Sequence, residues 1–189
     1  KFLTEHIADA VIRANENLVP ARIGWGVGHE SNQVFNRRWK MKAGTKLTNP
    51  FGLQDQVKMN PGIGNPDLVA PAGPTDPELP LIAIQTLEGK PLAVLANYSL
   101  HYVGGTGPDE ISADYYGLFA KKMEQLVGSD EEGSQFVSIM SNGTSGNINN
   151  INFGGAAPKP MRPYEKINIV ATALATEAFK VYQRVQYHD

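Results

Sequence analysis

Two polar stretches, each following an apolar run, contain the residues best suited to chemistry. The apolar run 91–100 leads into His101, which is followed by Tyr102, Val103 and two glycines. An imidazole at the end of a strand can ligate zinc or transfer protons. Many such histidines instead hydrogen-bond a neighbouring loop, and the position of His101 leaves both interpretations open.

The second apolar run, residues 136–140, leads into the asparagine-rich stretch 141–152. This stretch offers many amide donors and few charges, so it could form an oxyanion site or hold a polar substrate, with Asn142 and Asn147 as candidate ligand-binding residues. The same composition also suits a turn-rich loop whose asparagines satisfy their own backbone. No serine lies in a Gly-x-Ser-x-Gly frame, so the nucleophile elbow of the α/β-hydrolases is absent.

The order of elements predicts that both stretches lie at one edge of a sheet. A helical pattern follows each of them, at 112–128 and after Pro163. Crossovers through a helix usually join parallel strands, whose carboxyl ends meet at the same edge. Open α/β sheets bind ligands at that edge. We therefore expect His101 and residues 142–150 to lie there together.

The remaining patterns complete an α/β prediction. Apolar residues at helical spacing predict a helix over 2–18, and the alternation over 21–30 predicts a strand whose glycines indicate a bulge or a close backbone approach. The runs 81–87 and 92–100 predict a hairpin, and the apolar character of the second run is typical of a strand covered on both faces.

Two further segments are predicted to lack regular structure. Residues 43–80 are rich in proline, glycine and asparagine, which predicts a long irregular excursion that covers the sheet or lines the site. Residues 129–134 read as an acidic turn after the helix whose N-cap is predicted at Ser112. The chain as a whole predicts an α/β fold with a mixed, largely parallel sheet flanked by helices, in a single domain spanning 1–189.

Composition excludes several classes of function. The 189 residues carry a net charge of −2 and a pI near 6.1, so neither nucleic acid nor an anionic membrane surface is an expected partner. Without cysteine, neither disulfides nor thiolate metal sites can form. The apolar runs are too short for a transmembrane segment. Because Lys1 falls within a helical pattern and no Met precedes it, we expect the rest of a longer polypeptide.

Several stretches together resemble the N-terminal catalytic domain of the neutral/alkaline, non-lysosomal ceramidases, in the same order along nearly the whole chain. The matching segments are Asn17–Ile23, Asn36–Arg38, Asn97–His101, Ser112–Gly117 and Ser141–Ile151. Each motif is short, so the resemblance depends on their order.

The resemblance implies roles for individual residues. His101 would be a zinc ligand, Arg37 would face the substrate or the developing oxyanion, and Asn36 would contribute to substrate binding. Asn149 falls where the family has its nucleophilic serine, and Asn147 replaces the family's aspartate. An amide cannot replace an attacking hydroxyl, so the substrate need not be ceramide. The other zinc ligands are expected outside this segment.

These observations predict a ceramidase-like zinc-dependent amidohydrolase that acts on a small-molecule or lipid amide. The alternative is a protein that keeps the ceramidase-like fold but binds a ligand such as a glycan without turnover. A third interpretation is a structural domain of a larger assembly. The resemblance favours a secreted or periplasmic location, while the residues themselves leave the compartment open.

Overall fold

The computed structural model describes residues 1–128 and 136–189, so the predicted acidic turn at 129–134 lies outside the described residues. In chain order the described elements are α1 (Phe2–Glu16), β1 (Ala21–His29), β2 (Phe35–Asn36), β3 (Arg38–Met41), β4 (Val57–Met59), β5 (Leu68–Pro71), β6 (Glu78–Thr86), β7 (Pro91–Tyr98), α2 (Asp114–Val127), β8 (Val137–Asn142), β9 (Ile148–Asn149), α3 (Glu165–Tyr182) and β10 (Tyr187–His188).

A five-stranded sheet in the order β10-β1-β6-β7-β8 forms the centre of the fold. β7 and β8 are parallel, as the crossover through α2 predicts. The other neighbouring pairs of this sheet are antiparallel, β6 and β7 being joined by the predicted hairpin. The mixed α/β fold is therefore confirmed, but the sheet is not largely parallel, because a short turn reverses the chain direction and β1 pairs antiparallel with β6.

Helices α2 and α3 cover one face of this sheet and enclose the core. Three glycines of β1 allow α3 and the segment after it to come close to the strand. A Cβ atom on Gly24 would lie 2.5 Å from the backbone oxygen of Gln186, and one on Gly26 would lie 2.7 Å from Val181 Cγ1. The close backbone approach predicted from these glycines is thus confirmed.

The opposite face of the sheet is apolar and exposed in the described part of the chain. Trp25, Ile82, Leu95 and Ile139 form one cross-strand row, and their side chains are between 38% and 63% exposed. The expectation that β7 is covered on both faces is therefore wrong within the described residues. Helix α1, predicted over 2–18, is present over Phe2–Glu16 and has no buried residue.

The excursion 43–80 is more regular than expected. It contributes β4 and β5, which pair with β3 in a three-stranded antiparallel sheet. β2 pairs separately with β9 in a short antiparallel ribbon, with Phe35 opposite Asn149 and Asn36 opposite Ile148. This β2–β9 ribbon brings the arginine cluster of residues 36–38 to the asparagine-rich stretch. None of the helices in the described ranges combines the length and apolar character that a bilayer crossing requires.

Candidate functional site

The two polar stretches leave the sheet side by side. Tyr98 and Asn142 are the last paired residues of β7 and β8, and Gly143 N donates to Tyr98 O at 3.0 Å. A Cβ atom on Gly143 would lie 2.5 Å from Ser99 Oγ, so a larger residue here would displace the Ser99 side chain. The carboxyl ends of β7 and β8 therefore meet at one edge, as the strand–helix–strand order predicts, with Asn142 exposed at the end of β8.

His101 lies three residues beyond β7, and its side chain is half-exposed. Its ring centroid is 4.3 Å from that of Tyr102, with the two rings tilted by 58°. The preceding residue is anchored to α2, because the hydroxyls of Tyr115 and Tyr116 donate to Leu100 O at 2.9 and 3.1 Å. His101 is thus partly accessible, and the backbone just before it is hydrogen-bonded to α2.

Arg37 is attached directly to the asparagine-rich stretch. Its backbone N donates to Asn147 O, and its Nη2 donates to Gly146 O, each at 2.8 Å. Its Nε is buried and has no hydrogen-bond partner among the described residues. These contacts attach Arg37 to the asparagine-rich stretch, and its implied role toward the substrate stays a prediction.

Asn36 is buried, and its amide stabilises the neighbouring backbone. Nδ2 donates to Pro74 O at 3.2 Å, and Oδ1 accepts from Arg38 N at 3.0 Å. The indole Nε1 of Trp39 donates to the carbonyl of Asn36 at 3.1 Å. Asn36 therefore holds the end of the excursion against the β2–β9 ribbon.

Cavities of different polarity lie beside this ribbon. A cavity of about 620 Å³ is lined by Asn36, Arg38, Thr144, Gly146 and Asn147, and also by Val57, Ile148 and residues 72–74. We call it the polar cavity. A second cavity, of about 480 Å³, includes Phe35, Ile63, Ile151, Met161 and Lys166 in its lining. Asn32, Asn150, Asn152 and Lys159 also line it. We call it the apolar cavity, since most of its lining surface is hydrocarbon.

Lys166 brings a cation to the apolar cavity. Its Nζ donates to Gln33 Oε1 at 3.3 Å, a long bond to a neutral acceptor. Desolvation by burial lowers the pKa of Lys166, because the charged ammonium loses hydration there. A ligand with an acceptor group next to this ammonium would offset part of that cost.

Asn149 lies on the ribbon, next to the residues that line the apolar cavity. Its Nδ2 donates to Asn60 Oδ1 at 3.3 Å, and its Oδ1 accepts from Ile151 N at 3.0 Å. Both ends of the amide are therefore engaged within the chain. Asn147, by contrast, has an exposed side chain on the polar cavity.

The donor set for zinc is incomplete in the described ranges. A zinc site uses three or four protein ligands. Residues 1–128 and 136–189 contain no group of three or more histidines or carboxylates close enough to share a metal ion. His101 would supply one ligand, so the described residues do not by themselves fit the predicted zinc.

Comparison with known proteins gives a result at the level of fold. No family model and no curated protein matches the chain. A crystal structure of the neutral ceramidase from Pseudomonas aeruginosa superposes with a TM-score of 0.63 at 20% identity, over 94% of this chain and 25% of that one. The chain has the ceramidase fold. A ceramidase complexed with C2 gives a TM-score of 0.60 at 20% identity, over 91% and 24% of the two chains.

The ceramidase fold confirms the architecture that the ordered motifs imply. The chain spans about a quarter of the length of these ceramidase structures. The likeness extends to the fold, and the roles of His101, Arg37 and Asn149 stay predictions.

Sequence reasoning missed how the start of α2 holds the segment that contains His101. The predicted N-cap, Ser112, is not the capping residue, which is Ala113; the Ser112 hydroxyl accepts a hydrogen bond from Asp114 N at 2.9 Å instead. The run Asp114–Tyr116 then contacts the residues around His101. The sequence signal that could have indicated this is the run of an aspartate and two tyrosines, Asp114–Tyr116, at the start of the predicted helix.

Proposed function

We propose that this chain is the part of a ceramidase-like hydrolase of amide bonds that holds the substrate and polarises its carbonyl group. The observation that carries the proposal is the pair of cavities on the ribbon, one polar and one apolar, within a ceramidase fold. An amide with an apolar substituent matches this pair, because its apolar part can enter one cavity while its amide stays near Arg37 and the loop 141–152.

Arg37 is the proposed donor to the carbonyl oxygen. Hydrolysis of an amide places negative charge on that oxygen when water adds, and a preorganised donor stabilises the charge. The Nε of Arg37 is enclosed and has no hydrogen-bond partner among the described residues. Arg37 as a whole is only partly buried, so the proposed contact is with the accessible part of its guanidinium group. The Nη2 bond to Gly146 O fixes the guanidinium.

The attacking group in this proposal is water. The side chain of Asn149 has no hydroxyl, and its amide is bonded to Asn60 and to Ile151 N. Water adds to the carbonyl carbon, the C–N bond breaks, and the amine leaves with a proton. His101 is a candidate to move that proton or to ligate zinc, and a zinc ion would need further ligands besides it.

A panel of N-acyl amides tests the proposal. We expect hydrolysis of amides that carry an apolar acyl chain, and a fall in kcat/KM of about a hundredfold to a thousandfold in Arg37→Met. Arg22→Met is the matched control, because Arg22 pairs with Asp189 at the opposite end of β1 and should keep full activity. A wild-type protein that turns over no amide, or an Arg37→Met variant with unchanged kcat/KM, would refute the proposal.

The second candidate function is ligand binding without turnover. The hydrogen bonds of Asn149 to Asn60 and Ile151 favour this function. Asn149 stands where the resemblance places a nucleophilic serine, and here its side chain stabilises the loop instead. Calorimetry with the same amides and with simple glycans would show binding without product. Hydrolysis gained in Asn149→Ser would indicate an enzyme that has lost its nucleophile, whereas an inactive Asn149→Ser variant that still binds would favour a dedicated binding protein.

A further inference from the structure

The segment from Leu100 to Gly105 is held by two helix starts. The carbonyl of Leu100 accepts hydrogen bonds from Tyr115 and Tyr116 of α2. At the other end, Tyr164 N, at the start of α3, donates to Gly105 O at 2.8 Å. His101 lies within this held segment, directly after Leu100.

Asp114 makes the central contacts. Its Oδ1 accepts from Val103 N at 2.9 Å and from Tyr115 N at 2.7 Å, while its Oδ2 accepts from Gly104 N at 2.8 Å. Both carboxylate oxygens are thus used by backbone N–H groups, two of which belong to the segment containing His101. Hydrogen bonds to a charged acceptor are the strong ones. The negative charge also lies in the first turn of α2, where the helix dipole favours it.

The backbone of Asp114 is in a conformation that has a cost. Its φ angle is +51°, in the left-handed region that non-glycine residues rarely occupy. Aspartate tolerates this region better than most residues, and glycine adopts it freely. Glycine would relieve this backbone cost, but it has no side chain to accept hydrogen bonds. The three hydrogen bonds of its carboxylate are the evident difference.

We propose that Asp114 is a positioning residue for His101. Its carboxylate fixes Val103 and Gly104 against α2, while the two tyrosines fix Leu100, so the imidazole between these anchors is presented at the carboxyl edge of β7 in one orientation. A catalytic effect of that orientation rests on the proposed function. The orientation itself can be tested whether or not the protein is a hydrolase.

A graded series of variants separates positioning from folding. Asp114→Gly removes the carboxylate and suits the positive φ angle, so the protein should remain folded. Asp114→Asn keeps one acceptor oxygen and also tolerates the positive φ angle. Ser112→Ala is the matched control, because it removes the neighbouring bond to Asp114 N but none of the bonds to Val103 or Gly104.

Amide hydrogen exchange and the NMR signals of the His101 ring are the readouts. We expect exchange at Val103 and Gly104 to accelerate about tenfold to a hundredfold in Asp114→Gly, and less in Asp114→Asn. The ring signals of His101 should shift in Asp114→Gly and stay at wild-type positions in Ser112→Ala. If an amide substrate is turned over, kcat of Asp114→Gly should fall about tenfold to a hundredfold with KM less affected.

The outcomes distinguish this inference from the proposed function. Unchanged exchange at Val103 and Gly104, or His101 signals that move equally in Asp114→Gly and Ser112→Ala, would overturn the positioning role. If the wild-type protein hydrolyses no amide, the proposed function fails, and the exchange and NMR data still decide whether Asp114 positions His101.

Discussion

Removing the hydroxyls of Tyr115 and Tyr116 together should cost more stability than removing each alone. Both hydroxyls donate to the same carbonyl, Leu100 O, at 2.9 and 3.1 Å, and Tyr115 and Leu100 are fully buried. In either single Phe variant the carbonyl keeps one donor, so the loss should be that of one hydrogen bond, about 0.5–1.5 kcal/mol. The rings, whose centroids are 4.1 Å apart, stay stacked in each variant.

In the double variant the carbonyl loses both donors in a buried place. An unsatisfied buried acceptor costs about 1–3 kcal/mol by itself, so the double loss should exceed the sum of the single losses by about 1 kcal/mol. Urea unfolding of the four proteins at pH 7 measures this coupling. If the loss of the double variant equals the sum of the two single losses to within about 0.5 kcal/mol, the two tyrosines are not coupled through the carbonyl of Leu100.

The same hydroxyls predict how stability depends on alkaline pH. Burial raises the pKa of Tyr115 and of Tyr116 above the ordinary tyrosine value. A group with a raised pKa in the folded state stabilises the fold fully below its unfolded pKa, and this stabilisation is lost as pH rises above about 10. Above that pH the free energy of unfolding should fall more steeply for the wild-type protein than for the double Phe variant. Equal slopes for the two proteins would show that these tyrosines do not cause the loss.

Three further predictions test the fold and the cavities by urea unfolding. Gly24→Ala should destabilise the protein by about 1–3 kcal/mol or more, because its Cβ atom would meet Gln186 O at 2.5 Å, whereas Gly146→Ala has no atom within 4 Å and should be nearly neutral. Lys166→Met should raise the free energy of unfolding at pH 7, and the gain should shrink toward pH 10, since burial lowers the pKa of Lys166 and the unfolded state then binds more protons. Trp25→Ser, on the exposed sheet face, should leave unfolding almost unchanged and reduce self-association in light scattering.

The fold was predictable where local pattern and chain order determine it. The apolar runs around 88–90 and the helix between β7 and β8 predict a hairpin and a parallel pair, and both are present. The direction of β1 relative to its neighbour depends on pairing between strands that are far apart in the sequence. β1 pairs with β6 across the excursion 43–80, and an alternating pattern contains no information about that direction.

The candidate site was predictable in part for the same reason. Strand order places the segment of His101 beside the loop 141–152, and the resemblance adds Arg37, which contacts that loop. The role of Asp114 depends on its positive φ angle and on which residue begins α2, and neither follows from residue types alone. The two cavities depend on how the excursion packs, which the pattern of prolines and glycines does not determine.

Asn149 links the fold to the choice between the two proposed functions. Asn149 lies on the β2–β9 ribbon. The polar cavity, the apolar cavity and Arg37 all lie next to this ribbon. Under the proposed function, a hydroxyl at that position would be the attacking group that the family has there. An amide there keeps the loop shape through its bonds to Asn60 and Ile151 but cannot attack. In the proposed function this chain holds the amide, and catalysis then depends on a water molecule that another group activates.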